Sequence, residues 1–306
     1  MNIIKKWLIA VRAPFFTGIA MPIFIGAALA YYETGQFHWG LFLVTLVGGL
    51  FAHAGANLSN DYFDHKTTDD DININYTPFS GGSRTIQNKM FSARAVFWGA
   101  MVCYLVALAA GIYLTAKTPG YWILIFAAAG FMGGFLYTAG RYAFSYIGLG
   151  ELAILVNFGI LPVMGSYFVQ TGHFSWSSFW SSFPIGFLIT AILYINQYPD
   201  YDADKTVHKR NLVVRAGKKL GQAGYYFLIL GNYGMLILAV IIGSVTPYAL
   251  IALLSIPVAI KTLKTFSANY NKIKELIPAQ GGTIITHSLV GILMTFGYIL
   301  GVLMGK

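Results

Sequence analysis

The sequence predicts an all-α protein, a polytopic membrane bundle of nine transmembrane helices forming one domain over residues 1–306. Three observations lead there. Only 10% of the residues are charged and 57% are hydrophobic, whereas a soluble domain uses about 25% charged residues to face water. Nine apolar runs are long enough to cross a bilayer, at about 14–32, 39–60, 93–115, 120–138, 149–171, 178–198, 222–243, 246–264 and 283–303. When these runs are threaded through a membrane, 18 of the 20 Lys and Arg residues fall on one side, leaving Lys117 and Lys306 opposite. That bias assigns the N-terminus and the long connections 61–92, 199–221 and 265–282 to the cytoplasm of a cell (inner) membrane, and the C-terminus to the other side.

Taken in order, the chain begins with a short apolar stretch separated from the first span by Arg12 and Pro14. It reads as an interfacial helix followed by a retained span rather than a cleaved signal. Cys103, the single cysteine, lies in the third span, so there is no intrachain disulfide framework. Spans two and six each run into an acidic cluster, as described below. Two units of four helices, about 14–138 and 149–264, followed by a ninth helix at 283–303, account for that recurrence. The net charge of +9 reports membrane orientation and anion binding rather than a nucleic-acid partner.

Eight of the eleven acidic residues sit in two places: five at 61–71 and three at 200–204. Asn57, Asp61 and Asp64 in the first place answer to Asn196, Asp200 and Asp204 in the second. Spacings of four and then seven or eight residues put each trio on one helical face. Carboxylates at the end of a membrane helix are costly unless they meet water, a partner or an ion, and carboxylates held together resist ionisation. Mg²⁺ removes that conflict, because it takes hard oxygen ligands and leaves sites for substrate phosphate oxygens. Asn57 and Asn196 offer amide oxygens or orient water. Asp69, Asp70 and Asp71 read as a solvated loop.

Metal-bound carboxylates beside basic loops point to a phosphorylated ligand. In TPFSGGSRTIQ, 77–87, the backbone at Gly81 and Gly82 can approach an anion, and Arg84 follows. In DKTVHKRNLVVR, 204–215, Lys209 and Arg210 stand near the second trio. Arg forks onto phosphate oxygens and Lys acts as a point charge. His53, one turn before Asn57, and His287 in the last span read as helix–helix hydrogen-bonding groups. Glu151 reads as a cap on the fifth span, as an orienting group for an arginine or as a group that closes the site.

These residues resemble the UbiA superfamily of membrane prenyltransferases that make quinones, and within it the 1,4-dihydroxy-2-naphthoate polyprenyltransferases of menaquinone synthesis. NLSNDYFDHKTTDD is similar to the first aspartate motif at Asn57, Asn60, Asp61, Asp64 and Asp70. NQYPDYDADKTVHKRNLVVRAG is similar to the second at Asn196, Asp200, Asp204, Lys209 and the Leu212–Arg215 run. YTAGRYAFSYIGLGELAILVNFGILPVMGSYFVQTG, 137–172, resembles that branch's connection between the fourth and fifth helices. Arg84 and Gln87 match an Arg-x-x-Gln after the first motif. The chain departs from the pattern at Thr68 and His208, where the family usually has Gly, so the loop backbone is expected to differ there. It also departs in the longer 72–83 segment, at Arg141-Tyr142-Ala143, which lacks a Pro, and at Asn157, commonly an aromatic position.

The resemblance implies a UbiA-like bundle around a central lipid-open cavity, with Mg²⁺ on Asp61, Asp64, Asp200 and Asp204 holding a polyprenyl diphosphate. Arg84, Lys209 and Arg210 offset the charge of the departing diphosphate. Tyr137 and Tyr194 offer ring faces to the allylic cation that remains. An electron-rich aromatic acceptor then attacks, and in the naphthoate branch the carboxylate is lost, giving demethylmenaquinone. The alternatives are another acceptor (4-hydroxybenzoate, homogentisate, chlorophyllide or haem) or a membrane transporter. Transporter sites lie near the midplane, whereas these carboxylates gather at one mouth.

Overall fold

The structure is a computed structural model that describes residues 1–139 and 143–305. Arg141, Tyr142 and Lys306, which enter the charge count and the missing-Pro comparison, lie outside the described residues. The chain is helical almost throughout, and apart from an isolated bridge between Thr77 and Ser80 the described residues form no strand.

The helices follow the apolar runs. An amphipathic α1 (Ile3–Ala10) is capped by the Asn2 side chain, which accepts from the Lys5 N–H. Arg12, with φ of 53°, then turns the chain into α2 (Thr17–Thr34). There follow α3 (Trp39–Lys66), the single turn α4 (Asp69–Ile72), α5 (Ala93–Lys117), α6 (Trp122–Thr138) and the turn α7 (Phe144–Ile147). The fifth span is built from α8 (Gly150–Ile154), a π-helical stretch Leu155–Ile160 and α9 (Leu161–Thr171). The long α10 (Trp176–Thr206), the short α11 (Leu212–Ala216) and α12 (Lys218–Ile241) come next. A 3-10 helix over Pro247–Ser255 leads into α13 (Ile256–Asn269), and α14 (Ile273–Leu303) ends the bundle.

Eight of these units are long and apolar enough to span a membrane, one fewer than the nine expected. The difference lies at α6. Its apolar run begins at 120, but the turn after Pro119, with Gly120 at φ 68°, delays the helix to Trp122. Its 17 residues therefore reach only about 26 Å against a hydrocarbon core of about 30 Å.

The bundle is layered around α10. Of its most apolar stretch, 72% is buried, against 22% for α3 and for α5. Ile185, Leu188 and Ile195 of α10 pack with Ile25 and Leu29 of α2, Tyr225 and Ile229 of α12 and Met294 of α14. At Gly159 the backbone of the π-helical stretch touches α10, since a Cβ there would fall 2.6 Å from the Gly186 Cα. The outward faces of α3 and α5 expose Leu43, Val47, Trp98, Leu105 and Ile112. A row of large apolar side chains on the outside is stable only against lipid.

Two helices run past their apolar stretches. Hydropathy stops at the membrane edge, but intrahelical hydrogen bonding does not, so α3 continues to Lys66 and α10 to Thr206, carrying their aspartates on the last turns. Each then breaks at a left-handed residue four positions beyond its final aspartate, Thr68 at φ 63° and His208 at φ 62°. At both positions the chain takes a conformation that glycine favours and bears it with bulkier residues. An L-residue there costs about 1–2 kcal/mol, and glycine returns part of that as chain entropy. Thr68→Gly or His208→Gly is accordingly expected to stabilise the protein by about 1 kcal/mol, a rise of roughly 3 °C in thermal unfolding in detergent. A fall in both melting temperatures would show that the side chains outweigh the strain.

Candidate active site

The two turns after the aspartate helices bring their next residues together. Asp69 follows Thr68, Lys209 follows His208, and the Lys209 ammonium lies 2.8 Å from the Asp69 Oδ2. The same ammonium is 3.4 Å from Asp64 and 3.5 Å from Asp204, so one lysine bridges carboxylates from α3 and α10 across more than a hundred residues of chain. Burial pulls this ammonium toward neutrality, but Asp64, Asp69 and Asp204 outweigh it and hold its pKa well above the ordinary lysine value.

These groups form the rim of one pocket. Asp64, Asp69, Asp70, Asp200, Asp204 and Lys209 line its polar mouth, with Asn57 and Asn196 just inside. Its other walls include apolar and aromatic side chains: Phe15, Phe79, Tyr137, Ile154, Phe158 and Leu193. The mouth is closed on one side by the 73–83 segment, which the aspartates themselves fix. Asn73 donates to Asp200 at 2.7 Å and the Gly81 N–H donates to its other oxygen at 3.2 Å. Gly82, at φ 77°, lies against Asp70, where a Cβ would come within 2.1 Å of the carboxylate. The anions that Gly81 and Gly82 approach here are the protein's own carboxylates.

Several residues sit where the sequence did not put them. Asp69 and Asp70 are buried in the pocket wall instead of forming a solvated loop, and only Asp71 is turned out. α4 folds back under the mouth because the left-handed turn at Thr68 reverses the chain. Asp61 is buried against Arg12 and Ser83, both of which hydrogen-bond to it, and is not part of the pocket lining. Arg84 donates to the Asp70 carbonyl and stacks over Tyr76 at 4.4 Å, outside the lining. Arg210 is exposed beyond the rim, and its carbonyl accepts from Arg215. Tyr137 lines the pocket, whereas the Tyr194 hydroxyl donates to the Gly221 carbonyl in the α10–α12 interface.

Glu151 does not cap the fifth span. It accepts from Gln197 and from the Leu212 N–H, tying α8 to α10 and α11. His53 and His287 were expected to bridge helices, yet Nδ1 of His53 and both ring nitrogens of His287 have no hydrogen-bond partner among the described residues. The sequence places Arg12 only among the topology charges and, with Pro14, at the break before the first span. Arg12 lines the pocket, donating to Asn60 at 3.0 Å and to Asp61. Its signal was the Arg-x-Pro break before the first span, which puts a cation at the depth of the motif.

The donor set fits a hard divalent cation. Every carboxylate at the mouth offers oxygen, and Oδ2 of Asp70 is buried without a partner. Burial, with Asp64 and Asp61 close by, pushes the Asp70 carboxyl well above the usual range, and Arg12 and Lys209 offset only part of that. Among the described residues no three acid, His or Cys side chains already converge as a ligand set. Lys209 stands between the carboxylates, as a counter-charge that a metal and a diphosphate would share.

The chain is similar to known proteins in both sequence and fold. A family model described as the UbiA prenyltransferase family matches residues 19–275. The chain is 26% identical to the 2-carboxy-1,4-naphthoquinone phytyltransferase of Synechocystis sp., covering 96% of this chain and 93% of that one. It is 28% identical to the 1,4-dihydroxy-2-naphthoate octaprenyltransferase of Haemophilus influenzae, covering 97% of each. Its fold superposes with a TM-score of 0.65 on a UbiA homolog from Archaeoglobus fulgidus bound to GPP and Mg²⁺, at 13% identity over 94% of this chain and 99% of the other. The chain is a multi-pass membrane protein of the UbiA prenyltransferase family.

Proposed function

We propose that this protein joins a polyprenyl diphosphate to 1,4-dihydroxy-2-naphthoate, with loss of the carboxylate as CO₂. The product is the prenylated naphthoquinol that gives demethylmenaquinone on oxidation. The observation that carries the reading is the meeting of the two aspartate motifs in one pocket whose depth is apolar. Two relatives share a naphthalene-type acceptor in their names while differing in the named tail, which favours this acceptor class.

Asp64, Asp70, Asp200 and Asp204 would hold Mg²⁺, and Asn57 and Asn196, beside them in the pocket lining, would orient water there. When bound, the metal supplies Lewis-acid stabilisation to the diphosphate oxygens. Lys209 and Arg12 face the diphosphate and stabilise the charge that grows as the allylic C–O bond breaks, the electron pair leaving with oxygen. Asp61 positions Arg12. The faces of Tyr137 and Phe158 shelter the allylic cation, and the apolar wall takes the prenyl tail. A ring carbon of the acceptor supplies the electrons of the new C–C bond, and CO₂ departs leaving its bonding pair in the ring. The mouth faces the cytoplasm, on the side that carries the Lys and Arg excess.

Purified protein supplied with Mg²⁺, a polyprenyl diphosphate and separate aromatic acceptors tests this. Prenylated, decarboxylated naphthoquinol identified by mass is the expected product. Product from 4-hydroxybenzoate alone would overturn the acceptor while leaving the reaction class in place.

A further inference from the structure

Two polar side chains in the apolar depth of the pocket have no role in binding diphosphate. His53 lies eight residues before Asp61 on α3, about 12 Å further along the helix axis. It is 7% exposed, its ring packs against Phe16 at 5.7 Å and Phe158 at 4.8 Å, and Nδ1 has no hydrogen-bond partner. Asn157 lies in the π-helical stretch Leu155–Ile160, a local widening that recurs at functional sites. Its Nδ2 donates to the Ala153 carbonyl at 2.7 Å, and its Oδ1 is buried without a partner among the described residues. Gly133 on α6 leaves room for this amide, since a Cβ there would fall 2.1 Å from Nδ2. Both residues line the pocket.

Buried polar atoms without partners are rare because each loses its hydration and regains nothing. Of the lining residues beside them, Ala153, Phe158 and Ile189 offer no side-chain donor, and the Asn57 amide one turn along α3 donates to the Val11 carbonyl. Neither does a polyprenyl chain, nor an ionised diphosphate. The remaining ligand of the reaction, the aromatic acceptor, carries hydroxyl groups. We propose that the His53 imidazole and the Asn157 amide oxygen accept hydrogen bonds from the acceptor's ring hydroxyls and so determine which hydroxylated aromatics react. The inference rests on the prenyl-transfer reading above and not on which hydroxylated aromatic is used. A neutral imidazole offers one acceptor nitrogen, and Asn157 has one of its two amide N–H donors engaged by the Ala153 carbonyl while its oxygen accepts nothing among the described residues. The pair is therefore built to receive donors, and it disfavours an acceptor whose hydroxyls are methylated, because two buried acceptors then stay unpaired.

Acceptor KM and diphosphate KM are measured for wild type, His53→Phe, His53→Gln and Asn157→Leu, using a dihydroxynaphthoate and its O-methylated analogues. His53→Phe and Asn157→Leu are expected to raise the acceptor KM about tenfold, to leave the diphosphate KM within about twofold, and to abolish the preference for free hydroxyls. His53→Gln, which keeps an acceptor, is expected to recover most of that preference. If a variant is inactive, calorimetric binding of the acceptor without metal or diphosphate reads the same ratio. Unchanged hydroxyl preference in both variants, or equal rises in the two KM values, overturns the proposal. If wild type uses a different hydroxylated aromatic, the same comparison is made with that compound, so failure of the naphthoate reading and failure of this one stay distinct.

Discussion

Asp200→Asn is expected to lower turnover by about two to three orders of magnitude while the protein stays folded. Asp200 lies near the end of α10 in the mouth of the pocket, gripped by Asn73 and the Gly81 N–H. Asparagine has almost the same shape, so helix and pocket are retained, but the charge is lost. The amide can still accept from Asn73 or from Gly81, and its own NH₂ then meets the other donor. The 73–83 segment therefore loses about one hydrogen bond, roughly 1 kcal/mol, or about 3 °C of melting temperature. Such a loss leaves the protein folded at assay temperature and cannot account for a hundredfold fall in rate. Product formation at saturating Mg²⁺ and diphosphate, read beside thermal unfolding, separates the two effects. Turnover within about threefold of wild type would remove Asp200 from the reaction.

The second large effect is expected at Lys209. Its ammonium is within 3.5 Å of carboxylates on Asp64, Asp69 and Asp204, all of them nearly inaccessible to water. Lys209→Met shortens the side chain by one atom and removes the charge, leaving three carboxylates to repel one another out of solvent. Breaking a buried ion pair costs about 3–5 kcal/mol, which for a chain of this size is on the order of 10 °C. Mg²⁺ offers those carboxylates a replacement charge. The melting temperature is therefore expected to fall in chelator and to recover largely in millimolar Mg²⁺, because a ligand that binds only the folded state stabilises it. Activity is expected to stay low even with Mg²⁺, because Lys209 also faces the departing diphosphate. An equal fall with and without Mg²⁺ would show that these carboxylates do not take up the ion.

The helices were legible in the sequence to within a few residues, as at 93–115 against Ala93–Lys117 and 149–171 against Gly150–Thr171. The misreadings share a cause. α6 fell short of a span because hydropathy counts the apolar residues of a turn as readily as those of a helix. α3 and α10 overran their spans because backbone hydrogen bonds continue into water, and that overrun is what carries the aspartates to one rim. At the site, the two motifs and Lys209 were read as a group and lie as a group. Asp70 had been matched to the motif, yet its burial depended on the left-handed turn at Thr68, where the local sequence has a β-branched residue and suggests no such turn.

By itself the sequence determined the apolar helices, one of them shorter than expected, and the pairing of two oxygen-rich motifs. Each follows from transfer energies and spacings that act residue by residue or within two helical turns. Only the tertiary structure decided which side chains share the pocket. Arg12 and Asp69 are inside, Tyr194 is turned into the α10–α12 interface, and Asp61 is committed to Arg12. Those outcomes depend on how far each helix is rotated about its own axis. Rotation is settled by packing between helices far apart in the chain, such as the contact of Gly159 with Gly186, and one sequence holds no local record of it.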